Sequence, residues 1–285
     1  MRARGSIAIA TASAVVALAI AVPLQAQGNS GKKSKPPSSS PLPSPATGPA
    51  AGASPIAWLD DASLLAPGSM ALTVGAMRWS GADLSEVDFP IADVSVGVTP
   101  RFQLGMSVPR VVGSADGTGP VGGVGTSYVT AKIALLNDAS GVKLAVSPML
   151  EILGEGAVQA LAPGENRTRF GLPVSAELTQ GPARVFASAG FFTRSAWFAG
   201  GGVGVQATPR VGVSASFTRS WANDDASGVM RDRRELSGGV SYFVKPQIGV
   251  YGAIGRTIAT TDENGAGTSL SGGVTFLLSP AGRSR

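Results

Sequence analysis

Six charged side chains are the residues of this 285-residue chain best placed to do chemistry: Asp93, Lys132, Lys143, Glu151, Arg169 and Glu177. Each falls on the small or polar side of a stretch in which apolar and polar residues alternate, so each is expected on the inward face of a sheet closed on itself. Three cations and three carboxylates on one enclosed surface have two readings. They form a mixed-charge lining that selects or binds a small solute, or they compensate one another and fill the interior. A register slip of one residue would turn any of them to the other face.

Most other chemistry is excluded by what the chain lacks. Histidine and cysteine are both absent, which removes the commonest general base, the commonest metal ligand, thiolate metal sites and disulfides. Ser-His hydrolases are therefore ruled out. No catalytic, cofactor-binding or metal residues are expected. The match of Gly117–Gly122 to G-x-G-x-x-G contains Pro120 and opens no helix, so no pyrophosphate site follows. Ser140–Lys143 fits S-x-x-K but belongs to a hairpin. Two loop-like stretches carry clustered charge, Asp83, Glu86 and Asp88 in one, and Asp224, Asp225, Arg231, Asp232, Arg233 and Arg234 in the other. Carboxylates so grouped suit Ca²⁺ and the arginines suit lipopolysaccharide phosphates, although solvated loop charge is the plainer reading.

The elements that must position these residues show a two-residue period. Val94, Val96, Val98, Phe102, Leu104, Met106 and Val108 share one face of 91–111, and Asp93, Ser95, Gly97, Gln103, Gly105 and Ser107 share the other. Thr99-Pro100-Arg101 separates the two runs, which makes a hairpin. The pattern recurs in about twelve runs, at 70–79, 91–98, 101–111, 126–136, 142–153, 168–178, 183–193, 196–206, 210–220, 234–244, 247–257 and 268–278. Most of them match the ~9–11 residues of a tilted membrane-spanning strand. Tight turns at 99–101, 180–182, 208–210 and 245–247 alternate with longer loops near 80–90, 112–125, 154–167, 221–233 and 258–267. Short turns on one side and long loops on the other are the outer-membrane arrangement, and an even strand number returns both ends to one side. A soluble β-sandwich shows the same alternation. Small residues on the polar face, and an apolar face on nearly every strand, favour the membrane barrel over it. The aromatic stock, 10 Phe, 4 Trp and 3 Tyr, predicts sparse girdles.

The expected fold class is therefore all-β, a transmembrane antiparallel up-and-down barrel of about twelve strands at 69–278. Residues 1–26 read as a secretory signal: Arg2 and Arg4, an apolar core from Ile7 to Val22, and the small-residue end Leu24-Gln25-Ala26. Residues 27–55 are a Pro, Ser, Gly and Ala linker expected to be disordered. Residues 56–68, with Trp58, Leu59, Leu64 and Leu65, are a short periplasmic lead-in with enough apolar bulk for a turn of helix at the barrel entrance. Residues 279–285 are a polar tail. Net charge is +5, from 23 basic and 18 acidic residues. Part of the excess lies in Arg2, Arg4, Lys32, Lys33 and Lys35, outside the barrel, so no nucleic-acid partner is expected.

Val96–Pro109, which reads VGVTPRFQLGMSVP, resembles the strand-turn-strand of transporter-like outer-membrane proteins, including the family named for the MetA pathway of phenol degradation. Leu65–Leu72 is similar to that family's entry into the barrel, and Val205–Val213 and Tyr242–Val250 repeat the hairpin. The likeness spans roughly 64–278. It implies a narrow channel or transporter-like barrel in the outer membrane for small solutes, hydrophobic or aromatic in kind. The alternative is a non-transporting structural or surface-interaction barrel with a filled lumen. Expected partners are outer-membrane lipid and lipopolysaccharide, the barrel-assembly machinery and a small solute. Such barrels usually end in an aromatic residue, whereas Phe276 here is followed by Leu277–Arg285.

Overall fold

The computed structural model describes residues 60–81, 84–115, 119–137, 140–155, 166–193, 196–222, 232–261 and 266–279. The signal and linker expected at 1–55 lie outside them, as do Trp58, Leu59, Asp83, Asp224, Asp225 and Arg231. The described chain is almost entirely strand: β1 (Met70–Ser80), β2 (Leu84–Thr99), β3 (Phe102–Ala115), β4 (Gly119–Val124), β5 (Ser127–Asn137), β6 (Val142–Val146) and β7 (Met149–Ile152) come first. Then follow β8 (Thr168–Gln180), β9 (Ala183–Phe192), β10 (Ala196–Gln206), β11 (Val211–Ala222), β12 (Arg233–Lys245), β13 (Ile248–Thr260) and β14 (Thr268–Leu278).

Pairing is antiparallel throughout, and β14 returns to β1 in continuous register from Met70↔Leu278 to Ser80↔Thr268, which closes the sheet. The loop-side half of β3 pairs with β4 and its other half with β5. β8 likewise pairs with both β6 and β7. Each couple is therefore one barrel strand with a break, at Gly125-Thr126 and at Ser147-Pro148. Fourteen segments thus make a twelve-stranded barrel.

Two expected loops prove to be strand. β2 begins at Leu84, and 110–115 pairs with 119–124 as an extension of the hairpin. Pro90 and the glycines of 113–125 read as breakers because proline cannot donate to a ladder and glycine weakens one. Pro90 instead sits in the register irregularity between Asp88 and Ile91, where no donation is required of it. At the opposite end, Gly181 (φ 57°) gives the two-residue turn Gly181-Pro182 its left-handed residue.

The exposed parity decides between sandwich and membrane barrel. Leu270 is 62% exposed and its neighbour Ser269 only 2%. Val185, Val203, Val213, Leu236, Val240 and Ile254 are exposed, while Ser175, Ser188, Ser216, Thr218, Ser220 and Thr257 are buried. A soluble sandwich hides its apolar face; this sheet hides its hydroxyls. Backbone polar groups in a bilayer can be satisfied only within a closed sheet. The barrel therefore spans an outer membrane.

Aromatics mark the edges of the apolar band despite their small number. Tyr242 of β12 lies across from Val211, and Trp221 is ten residues farther along β11 (211 to 221). At ~3.3 Å per residue and a tilt of ~40° that separation is about 25 Å of height, the band expected for such barrels. Trp197 lies opposite Trp221 and packs its ring 5.6 Å from Phe191, and Phe276 joins Tyr242 at the other edge.

Phe217 is exposed midway along this band. Arginine there is expected to lower unfolding stability by about 2–4 kcal/mol relative to Phe217→Leu, measured by urea titration in liposomes. Equal stabilities would show that the face does not meet hydrocarbon.

Candidate functional site

Strand parity puts all six candidate charges on the enclosed side of the sheet, but not together. Asp93 of β2 lies between Thr73 of β1 and Ser107 of β3. The other five lie on the wall formed by β5, β6, β7 and β8. Lys143 and Glu177 are cross-strand neighbours with Nζ 2.9 Å from Oε1. Glu151 and Arg169 are also neighbours, at 3.8 Å, and the Tyr128 hydroxyl donates to Glu151 at 3.0 Å. This second pair adjoins the apolar cluster of Met149, Phe192, Ala196 and Phe198.

The partner of Lys132 comes from an unexpected place. Residues 60–69, ahead of the first strand, hold no helix. They enter the barrel at its turn end as an irregular segment, with Asp61 3% and Ala62 1% exposed. Lys132 ion-pairs with Asp60 and donates to the carbonyls of Asp61 and Ser63, both at 3.2 Å. Arg184 of β9 meets Asp61 Oδ2 at 2.6 Å, and Ser175 donates to the Asp61 carbonyl at 3.2 Å. The Ser63 hydroxyl donates to Glu177 and accepts from Lys143 at 2.7 Å. The Leu65 amide donates to Gln103 Oε1 at 2.7 Å. Three cations (Lys132, Lys143, Arg184) thus face three carboxylates (Asp60, Asp61, Glu177), and the knot is neutral.

The segment is seated on Gly97. The Gly97 amide donates to Ser69 and its carbonyl accepts from Gly68, at 2.9 and 2.7 Å. A side chain there would run into the carbonyls of Leu65 and Ala66. A helical turn would satisfy its own backbone, but this close approach requires extended chain whose carbonyls are free to accept from Lys132 and Ser175. The sequence does carry the signal, adjacent carboxylates Asp60-Asp61 just before the barrel, but not their destination.

Arg233, expected on a loop, pairs with Glu235, which falls inside the strand expected at 234–244. Arg233 and Glu235 begin β12 on the enclosed parity, 4% and 3% exposed, with Arg233 Nη2 3.3 Å from Glu235 and 3.0 Å from Thr257. The Trp79 ring lies 5.5 Å from the guanidinium. Glu86 and Asp88, expected on an outer loop, belong to β2 and face the same side opposite Trp79 and Met77. Among the described residues no three carboxylates converge as a metal site would require.

No family model and no curated protein matches this sequence. Solved structures match its fold. The COG4313 outer membrane channel from Pseudomonas putida F1 superposes with a TM-score of 0.60 over 76% of this chain and 98% of its own, at 14% identity. A NanC porin superposes with 0.55 over 72% and 98%, also at 14% identity. The chain shares the barrel architecture of these proteins.

Burial of Asp61 raises its carboxyl to about 6, against the opposing pull of Lys132 and Arg184, with Asp60 and Glu177 adding to the rise. Because the docked value lies above the free one, docking gains stability as pH falls through about 6 toward 4 and loses it as pH rises. Proteolysis within 60–68 is therefore expected to be slower at pH 5 than at pH 7.5 when measured with a protease equally active at both. Asp61→Asn should abolish the difference. Lys132→Met strands two carboxylates and should release the segment at both pH values, at a cost of about 3 kcal/mol.

Proposed function

We propose that this barrel is a narrow outer-membrane channel for small solutes, restricted at its periplasmic end by residues 60–68. One observation carries the reading, the contrast between the two inner walls. The β5–β9 wall is filled by the docked segment, the ion pairs and the Phe192–Phe198 cluster. Beyond Phe198 at its edge and Tyr251 on β13, the enclosed parity of the β10–β14 wall is mostly glycine and serine, and Gly202, Ser214, Gly239, Ser241 and Gly273 remain partly exposed to solvent, with the Phe186 ring beside Gly202 and the Tyr251 ring beside Gly273. Twelve strands enclose more room than the eight whose interior side chains can fill, and residues this small leave a water-reached strip beside the docked segment. Agreement comes from the fold, which is that of proteins described as a porin and an outer membrane channel.

Apart from the buried, mutually paired Arg233 and Glu235 at the loop end, the enclosed parity of the β10–β14 wall has no charged side chain among the described residues, so the strip suits a neutral solute. This fits the hydrophobic or aromatic class implied by resemblance to the MetA-pathway family. The balanced ion pairs serve to hold the segment and the filled wall, and five of the six candidate charges act in that role; Asp93, between Thr73 and Ser107, stands apart from it. No catalytic step is assigned. Residues 1–26 then direct export, 27–55 tether the barrel from the periplasmic side, and the assembly machinery inserts it by a signal internal to the C-terminal tail.

The second reading, a structural barrel with a filled lumen, draws on the same neutral knot. Planar-bilayer recording separates the two. The channel reading expects small discrete openings in the wild type and a several-fold larger conductance for Gly97→Val, whose side chain displaces Ala66. A silent wild type together with a silent Gly97→Val favours the structural barrel. Liposome flux should favour phenol over benzoate of similar size, and equal flux would remove the neutral-solute assignment.

A further inference from the structure

The outward face of the barrel carries charge of one sign, at one height and on one side. Among the described residues the strand carboxylates Glu86, Asp88, Asp93, Glu151, Glu177 and Glu235 all take the enclosed parity. The outward charges between the strand ends are arginines: Arg78, Arg110, Arg219, Arg234 and Arg256, each exposed. All five lie toward the loop end of their strands, β1, β3, β11, β12 and β13. These strands fall within one continuous stretch of the closed sheet, from β11 through β14 to β3. Among the described residues the strands of the remaining arc, β4 to β10, show none: their loop-end outward residues are Leu150, Phe170, Phe191 and Trp197.

Such a distribution is costly on a lipid-facing surface unless something anionic meets it. Arg219 and Arg234 are direct cross-strand partners, and like charges directly opposite are destabilising. Asp232 offsets one of them, accepting from Arg219 at 2.9 and 3.0 Å and from Arg234 at 3.5 Å. Those bonds hold its carboxyl below the usual range, so it stays ionised. The trio still carries one net positive charge. Arg256 adds a second: it faces Leu236, two residues from Arg234 along β12, and donates to Thr268 at 2.9 Å. Arg78 lies two strands beyond, across β14, and two residues along, roughly 12 Å away at ~4.8 Å per strand and ~3.3 Å per residue. The guanidinium of Arg219 stacks 5.3 Å from the Trp221 ring, which marks the edge of the apolar band. Arg219 thus starts two residues inside that edge, and its guanidinium, stacked on Trp221, reaches toward the headgroups of the outer leaflet.

We propose that Arg219, Arg234, Arg256 and Arg78 form a binding site for the phosphate groups of the outer-leaflet glycolipid, lipopolysaccharide. Guanidinium forks match phosphate oxygens bidentately. The Trp197 and Trp221 rings beside them sit where sugar and acyl chain meet. The arginine arc is thereby the side on which the barrel holds its lipid annulus, whatever passes through its interior.

Binding of intact and of dephosphorylated lipopolysaccharide to the full, folded chain in detergent micelles tests the site. Conductance plays no part in it, so the channel reading can fail without affecting the result. The wild type is expected to retain intact lipopolysaccharide with an apparent affinity about tenfold above that for the dephosphorylated form. The triple variant R219Q/R234Q/R256Q should lose most of that preference. R101Q/R210Q, at the opposite end, should keep it. Each variant is first shown to be folded by its mobility shift between unboiled and boiled gel samples. If the triple variant does not fold, the wild-type comparison and R256Q, expected to weaken binding about threefold, decide the matter. Equal affinity for the two lipopolysaccharides, or an unchanged preference in folded triple variant, would overturn the proposal.

Discussion

The eleven-residue pairing of β1 with β14 is the constraint on which everything else in this molecule depends. A bilayer offers no water to satisfy a sheet edge, so an open version of this sheet would leave two rows of unpaired amides in hydrocarbon. Closure fixes the parity of every strand at once. One set of side chains meets lipid and the other meets the interior, and no strand is free to slip without exchanging the two. The identity of the residues at each position follows from that division: valine, leucine and isoleucine outside, glycine, serine and threonine inside.

Closure also sorts charge. A carboxylate facing lipid has no partner, whereas one facing the interior can meet a cation from the next strand or from the chain end. The pairs Lys143–Glu177, Glu151–Arg169 and Arg233–Glu235 follow from strand neighbours. Asp60 and Asp61 reach theirs by threading the segment ahead of β1 back into the barrel. Breaking any one of these leaves an ion uncompensated in a poorly hydrated space, which costs more than the pair itself contributes. The interior is therefore held by a network whose members depend on one another.

The two inner walls serve different ends. Against β5–β9 the docked segment, the ion pairs and the aromatic cluster fill the interior, while the wall opposite is mostly glycine and serine, interrupted by Tyr251. Glycine is used twice over here. Gly97 admits the backbone of the docked segment, and Gly202 and Gly273 make room for the Phe186 and Tyr251 rings. The narrow path we propose along one side of the twelve-stranded barrel rests on this division of labour.

Strand number, turn positions and parity are written in the sequence because period-two alternation is a local property. Each run between turn residues can be read without knowing its neighbours, and the runs at 168–178, 196–206 and 268–278 agree with β8, β10 and β14 to within two residues. Where breakers sit inside real strands, as at Pro90 and in 119–124, local reading stops short, because a ladder irregularity absorbs what the residue lacks. Arg233 reads as loop for a different reason: it sits in the charged run 231–234, which has no alternation to anchor it. The tertiary structure alone decided where the chain ahead of β1 goes. It also decided which arginines share a patch. Each depends on contacts between residues far apart in sequence, such as Lys132 with Asp60 or Arg256 with the strand that carries Arg234, and nothing local encodes them.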